Sequence, residues 1–231
     1  MWNEMFWGNV LQASALIFAG SRFTRNALRP ARSLQYSKGW MWLSFGTWIW
    51  VIGQILQAYA EILLQRSGFG TVDDAFWLLG VFCIIGGLSV LVFHFSQKAK
   101  FKSAHLYALA FVGSLIVLLA IANRGLFNGI LEVIYIACDL IVIALLFVLI
   151  IFGKKRSDRK MVFQWSIFMI GAISGSVGDV LWTSQANKIT DLLFFSDYLL
   201  IGLSAMLASC QSIDSRQYND TTQIDAFVLN S

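Results

Sequence analysis

Seven stretches of this chain run apolar for roughly the 20 residues that a helix needs to cross the hydrocarbon of a bilayer. They lie at about 5–21, 40–63, 75–96, 105–122, 129–153, 161–183 and 192–211. An open sheet in lipid would leave its backbone amides unpaired, so each stretch is read as a helix. The charge content agrees, at 13% with a single proline in 231 residues; a soluble domain carries about a quarter charged residues. The expected fold is an all-α, polytopic membrane protein with seven transmembrane helices. It divides into a membrane domain, 1–211, and a short cytoplasmic tail, 212–231, which is too small for a catalytic domain.

The basic residues set an orientation. Arg22, Arg25, Arg29, Arg32 and Lys38 fall in the first loop; Lys98, Lys100 and Lys102 in the third; Lys154, Lys155, Arg156, Arg159 and Lys160 in the fifth; and Arg216 in the tail. Only Arg66, Arg124 and Lys188 fall on the other side. The basic side is expected to be cytoplasmic, with the amino terminus outside. The chain is then expected to be a multi-pass membrane protein with its carboxyl terminus in the cytoplasm. No Lys or Arg precedes Arg22, so the first span lacks the basic start of a signal peptide. The pI near 9.1 is explained by topology and anionic lipid, and nucleic acid is not an expected partner.

A repeat runs through the chain. Asp74, Glu132 and Asp191 are each followed three residues later by an aromatic (Trp77, Tyr135, Phe194) and then by mostly apolar sequence, with separations of 58 and 59 residues. Such a period suggests three helical hairpins, spans two–three, four–five and six–seven, with the first span as an addition. Small residues at four-residue spacing, Gly171/Gly175, Ala172/Ser176 and Ser204/Ala208, mark close helix contacts. A signalling hinge would share that pattern.

Eight carboxylates gather toward one end of the spans: Glu61, Asp73, Asp74, Glu132, Asp139, Asp179, Asp191 and Asp197, with Gln54 and Gln57 beside them. Asp73, Asp74 and Asp191 stand at helix starts, where capping accounts for them. Asp139, Asp179 and Asp197 stand deeper, where a charge is costly and faces the bundle interior or water. Asp139 lies seven residues beyond Glu132, so about 10 Å deeper on nearly the same face. An internal polar site and structural hydrogen bonding both fit these three. Tyr59, Trp77, Tyr135, Trp182, Phe194 and Tyr198 accompany the acids. Each alone suits an interfacial belt, and together they suit a cationic or sugar-like ligand. The candidate ligand-binding residues are Asp139, Asp179, Asp197, Tyr135, Trp182, Tyr198 and Glu61.

Other chemistry finds little support. Cys83, Cys138 and Cys210 lie inside spans and read as small hydrophobes. His94 and His105 flank a loop at the membrane edge, and no Cys/His metal spacing, nucleophile elbow or glycine-rich phosphate loop is present. No metal or cofactor is expected.

The stretch 38–91, with its Trp-rich helix, its loop and the Asp74, Trp77, Gly80 start of the next helix, resembles the multi-span membrane sensor regions that precede diguanylate cyclase and phosphodiesterase domains in bacteria. Glu132, Tyr135 and Cys138, then Asp191, Phe194 and Asp197, are later copies of that start. Such regions feed a cytoplasmic GGDEF, EAL or kinase domain, and no such signature is visible here. The resemblance therefore implies a sensory module and no enzymatic activity. The expected function is signalling from a small ligand or lipid bound in an outward-facing polar cavity. Expected partners are membrane lipids, a cytoplasmic output protein and a second copy of the chain. A transporter or channel is the alternative, and a membrane-embedded lipid hydrolase using Asp139 and Asp179 is a further one.

Overall fold

The computed structural model describes residues 2–29, 34–64, 72–98, 130–182 and 188–228, with side-chain surroundings over 6–29, 34–64, 72–97, 131–181 and 188–209. Six helices occupy these residues: α1 Trp2–Ala27, α2 Leu34–Leu63, α3 Val72–Lys98, α4 Ile130–Lys155, α5 Arg159–Trp182 and α6 Lys188–Val228. The all-α expectation holds, but the count of seven is not reached. The remaining expected span, 105–122, lies outside the described residues. Four helices are long and apolar enough to cross a bilayer, over Val72–Gln97, Leu131–Lys155, Arg159–Leu181 and Lys188–Ser209.

The other two helices, α1 and α2, have the opposite radial pattern to a soluble helix. Phe6, Trp7, Leu11 and Ile17 of α1, and Trp42, Phe45, Ile52 and Ile55 of α2, point outward. Asn9, Gln12, Asn26, Ser44, Thr47 and Gln54 are buried inside. These inward polar residues lower the mean hydropathy of both segments and are the physical reason they fall short by composition.

Packing follows chain order. Each helix lies against the next, and α6 returns to α1, so the six close into a ring. The first span is thus no addition to a set of hairpins: α1 is the wall that joins α2 to α6. Two of the expected hairpins, α2 with α3 and α5 with α6, are packed pairs. The third needs the undescribed span. The tail expected after residue 211 continues α6 without a break to Val228.

Glycine sets the closest approach. A Cβ on Gly46 would fall 2.6 Å from the Gly80 carbonyl oxygen, and one on Gly87 would fall 2.8 Å from that of Gly39. The two pairs are seven residues apart on each helix, so α2 and α3 run antiparallel with backbone against backbone. Between α4 and α5 the chain turns at Ser157, at φ 54°. Asp158 caps α5, its Oδ1 accepting from the Met161 N–H at 2.9 Å.

One end of the ring is sealed by aromatic rings. Phe23, Trp40, Trp165 and Phe168 are at most 1% exposed. Trp40 stacks on Trp165 at 5.7 Å, Trp165 on Phe168 at 6.1 Å, and Phe23 closes the group at 5.7 Å from Trp40 and 6.0 Å from Phe168. Beyond this plug lies the basic end, with Arg25 in the last turn of α1 and Lys154 and Lys155 in that of α4.

Candidate functional site

Above the plug the ring is not filled. A cavity of about 130 Å³ opens between the helices toward the acidic end. That is far above the ~10–15 Å³ that one water requires. Every helix contributes to its wall: Gln12 from α1; Trp50, Gln57 and Glu61 from α2; Asp73, Asp74 and Trp77 from α3; Tyr135, Cys138 and Asp139 from α4; Phe168, Gly175 and Asp179 from α5; Phe194, Asp197 and Tyr198 from α6. Phe168 is both the top of the plug and the floor of the cavity.

Asp139, Asp179, Asp197, Tyr135, Tyr198 and Glu61 therefore share one lining. Trp182 ends α5, and its side chain lies outside the described residues. His105 is also outside them. His94 is buried at the basic end, 5.7 Å from the Tyr36 ring, far along α3 from Asp74.

The deep acids come together because α5 is narrow. Gly171 and Gly175 leave no side chain on the face that meets α6, and a Cβ on Gly175 would fall 2.5 Å from Asp197 Oδ2. The Asp197 carboxylate occupies that space. One turn on, a Cβ on Gly178 would fall 2.9 Å from the Phe194 ring. The small-residue stripe is thus a seat for α6 side chains. Asp139 and Asp179 approach each other across α4 and α5, with Asp197 close enough to act on both electrostatically. The Ser176 hydroxyl lies beside Asp139 and donates to the Ala172 carbonyl at 2.8 Å.

Two carboxylate oxygens have no hydrogen-bond partner among the described residues: Asp139 Oδ2 and Asp197 Oδ1, both buried. Among the described residues no lysine or arginine is in the lining. No three His, Cys, Asp or Glu side chains among the described residues are grouped to hold a metal ion.

An aromatic wall faces these acids. Trp77 and Tyr198 stack at 6.1 Å and 13°, and Phe194 stacks on Tyr198 at 6.5 Å. Trp50 leans on both Trp77 and Tyr198, its indole N–H held by the Trp77 carbonyl at 2.9 Å. An interfacial belt does not describe Trp77, Tyr135, Phe194 and Tyr198, since all line the cavity. Tyr59, at 53% exposed, points outward as a belt residue does.

Nearer the mouth the polar groups are paired. Tyr135 Oη donates to the Asp74 carboxylate at 2.8 Å. Asp74 stands in the first turn of α3, where a cap belongs, yet its carboxylate holds α4 to α3. Asn9 and Gln57 donate to Glu61 at 2.9 and 2.8 Å, Gln54 donates to Asn9 at 2.7 Å, and Gln12 donates to Asp191 at 3.1 Å. This chain of amides ties α1, α2 and α6 together around the opening. The repeated acids thus make unlike contacts: Asp74 is bonded by the tyrosine of the following copy, Asp191 by a glutamine of α1.

Sequence reasoning missed Gln12, Trp50 and Phe168. Gln12 stood in a span set aside as an addition, and Trp50 and Phe168 lie among many apolar neighbours. The usable signal was polarity in α1: Asn9 and Gln12 lie three apart on one face of an otherwise apolar segment. Comparison with protein-family models, with curated proteins and with solved structures finds no match to this chain.

Proposed function

We propose that this chain is a sensory module of a bacterial inner membrane. A small ligand enters the cavity at the acidic end and alters the helices that lead to the cytoplasmic face. Seven spans make up the module, with 105–122 as the seventh, the amino terminus outside and the carboxyl end in the cytoplasm. That topology follows the basic loops. The outward apolar faces of α1 and α2 fit spans in contact with lipid. The partner is a cytoplasmic output protein reached through α6, and a second copy of the chain is the expected oligomeric contact. The resemblance to membrane sensor regions ahead of diguanylate cyclase domains supports the same reading.

One observation carries it: a cavity reached by all six helices, with a buried carboxylate oxygen without a partner among the described residues, has Phe168 of the aromatic plug in its wall, and Phe23, Trp40 and Trp165 are packed behind it. A pathway needs polar groups on both sides of the constriction. The plug therefore favours sensing over transport.

Two measurements test it. A reporter enzyme fused after Ser231 is active only if it works in the cytoplasm; periplasmic activity there overturns the topology. In lipid nanodiscs, any compound that fills the cavity and raises the melting temperature of the full chain alters amide hydrogen exchange in 210–228. Filling of the cavity with unchanged exchange in that stretch overturns the sensory reading.

A further inference from the structure

We infer that the cavity selects a small primary or secondary ammonium ion with an apolar body about the size of benzene. The inference rests on the reading of the cavity as a ligand site and adds the chemistry of its ligand. It begins with Asp197. This side chain is 6% exposed, it lines the cavity, and its Oδ1 has no hydrogen-bond partner among the described residues. Asp139 Oδ2 is in the same condition. A buried acceptor without a donor is costly, so these two oxygens call for an N–H or O–H group from a ligand. The amide donors nearest the mouth are engaged, Gln12 with Asp191 and Gln57 with Glu61, and Tyr135 donates to Asp74. No lysine or arginine of the lining supplies a positive charge.

The opposite wall selects among donors. Trp50, Trp77, Phe194 and Tyr198 form one continuous aromatic group at centroid distances of 5.9 to 6.5 Å. Ring faces attract cations and cover apolar surface. A hard metal ion prefers six or more oxygens, and the lining offers no such cluster among the described residues. A sugar brings O–H groups but no positive charge for these carboxylates. A quaternary ammonium brings charge but no N–H for Asp197. A primary or secondary amine brings both. Size completes the argument: the cavity, at about 130 Å³, is close to the ~150 Å³ of an apolar cavity that admits benzene.

Benzylamine and benzyl alcohol differ in charge and little in shape, and both fit such a volume. The test is calorimetric titration of each into the full chain in phosphatidylglycerol nanodiscs, whose lipid carries no amine. The expected result is benzylamine binding at least roughly tenfold tighter than the alcohol. In Asp197→Asn, nearly the same shape, benzylamine binding falls by about tenfold and the alcohol is unaffected. The wild-type comparison stands alone if that variant does not fold. Repeating the titration in phosphatidylethanolamine nanodiscs separates two sources of the same chemistry. Weaker apparent binding there assigns the site to a lipid headgroup amine, and unchanged binding to a free amine. Equal binding of alcohol and amine overturns the ammonium assignment and leaves the cavity a ligand site. Binding of neither, by a protein with an intact melting transition, overturns both.

Discussion

Glycine does opposite things at two seams of the ring. Between α2 and α3, Gly46 and Gly87 bring the carbonyl oxygens of Gly80 and Gly39 to where Cβ atoms would stand, while Leu91 and Trp50 fill the space at Gly39 and Gly80, so backbone and apolar side chains close the seam. Between α5 and α6, Gly175 and Gly178 make room that the Asp197 and Phe194 side chains fill from the other helix. The first seam is a dry joint. The second holds a carboxylate at a depth where lipid or a second backbone would not tolerate it. A stripe of small residues therefore reports closeness, and the residue opposite decides whether closeness becomes packing or a site.

The largest expected effect breaks the dry seam. In Gly46→Ala the new methyl meets the Gly80 carbonyl at 2.6 Å and Ile84 and Cys83 at 3.0 Å. Neither backbone can yield cheaply, so the variant loses about 3 kcal/mol, at the upper end for overpacking. A chemical or thermal melt in nanodiscs measures it, and a loss below about 1 kcal/mol would mean that the seam is loose. Ligand binding by the folded fraction is unchanged.

Next is the clasp at the mouth. Tyr135→Phe removes the Oη donor to the buried Asp74 carboxylate, at 2.8 Å. A hydrogen bond to a charged acceptor contributes about 2 kcal/mol, so the same melt falls by that amount. Asp74→Asn in the Tyr135→Phe background then costs little more, because the pair acts as one unit.

The smallest stability effect sharpens the comparison most. Gly175→Ala places a methyl 2.5 Å from Asp197 Oδ2, the end of a side chain rather than backbone. The carboxylate swings aside at a cost of about 1 kcal/mol, while cavity binding weakens by roughly tenfold as Asp197 leaves its position. A variant with the large stability loss of Gly46→Ala and normal binding would show that the two seams are alike.

The sequence carried the helices because lipid imposes them: about 20 apolar residues admit one solution. It carried the depth of Asp139, Asp179 and Asp197 for the same reason, since helical rise converts residue number into height. It did not carry the ring. Closure depends on α1 meeting α6, a contact between residues about 180 apart, such as Gln12 with Asp191 and Asn26 with the Ala205 carbonyl. No local pattern encodes such a contact. The sequence leaves the aromatic residues between belt and ligand wall for a related reason. Height along a helix places Trp77 and Tyr198 near an interface, but only azimuth tells inward from outward. Azimuth relative to neighbours is absent from a single helix whose apolar residues run all round.

Two native thiols, close to each other in burial, separate the regions. Cys83 is 6% exposed and lies against Gly46 in the dry seam; Cys138 is 4% exposed and lines the cavity. With Cys210 replaced by serine, a small cationic thiol reagent, methanethiosulfonate ethylammonium, is applied to the full chain in nanodiscs and the modified cysteine is identified by mass spectrometry. The account predicts modification of Cys138, slowed by benzylamine, while Cys83 stays intact until the protein is unfolded. Equal modification of the two, or a Cys138 as silent as Cys83, would contradict a ligand-accessible cavity at the centre of the ring.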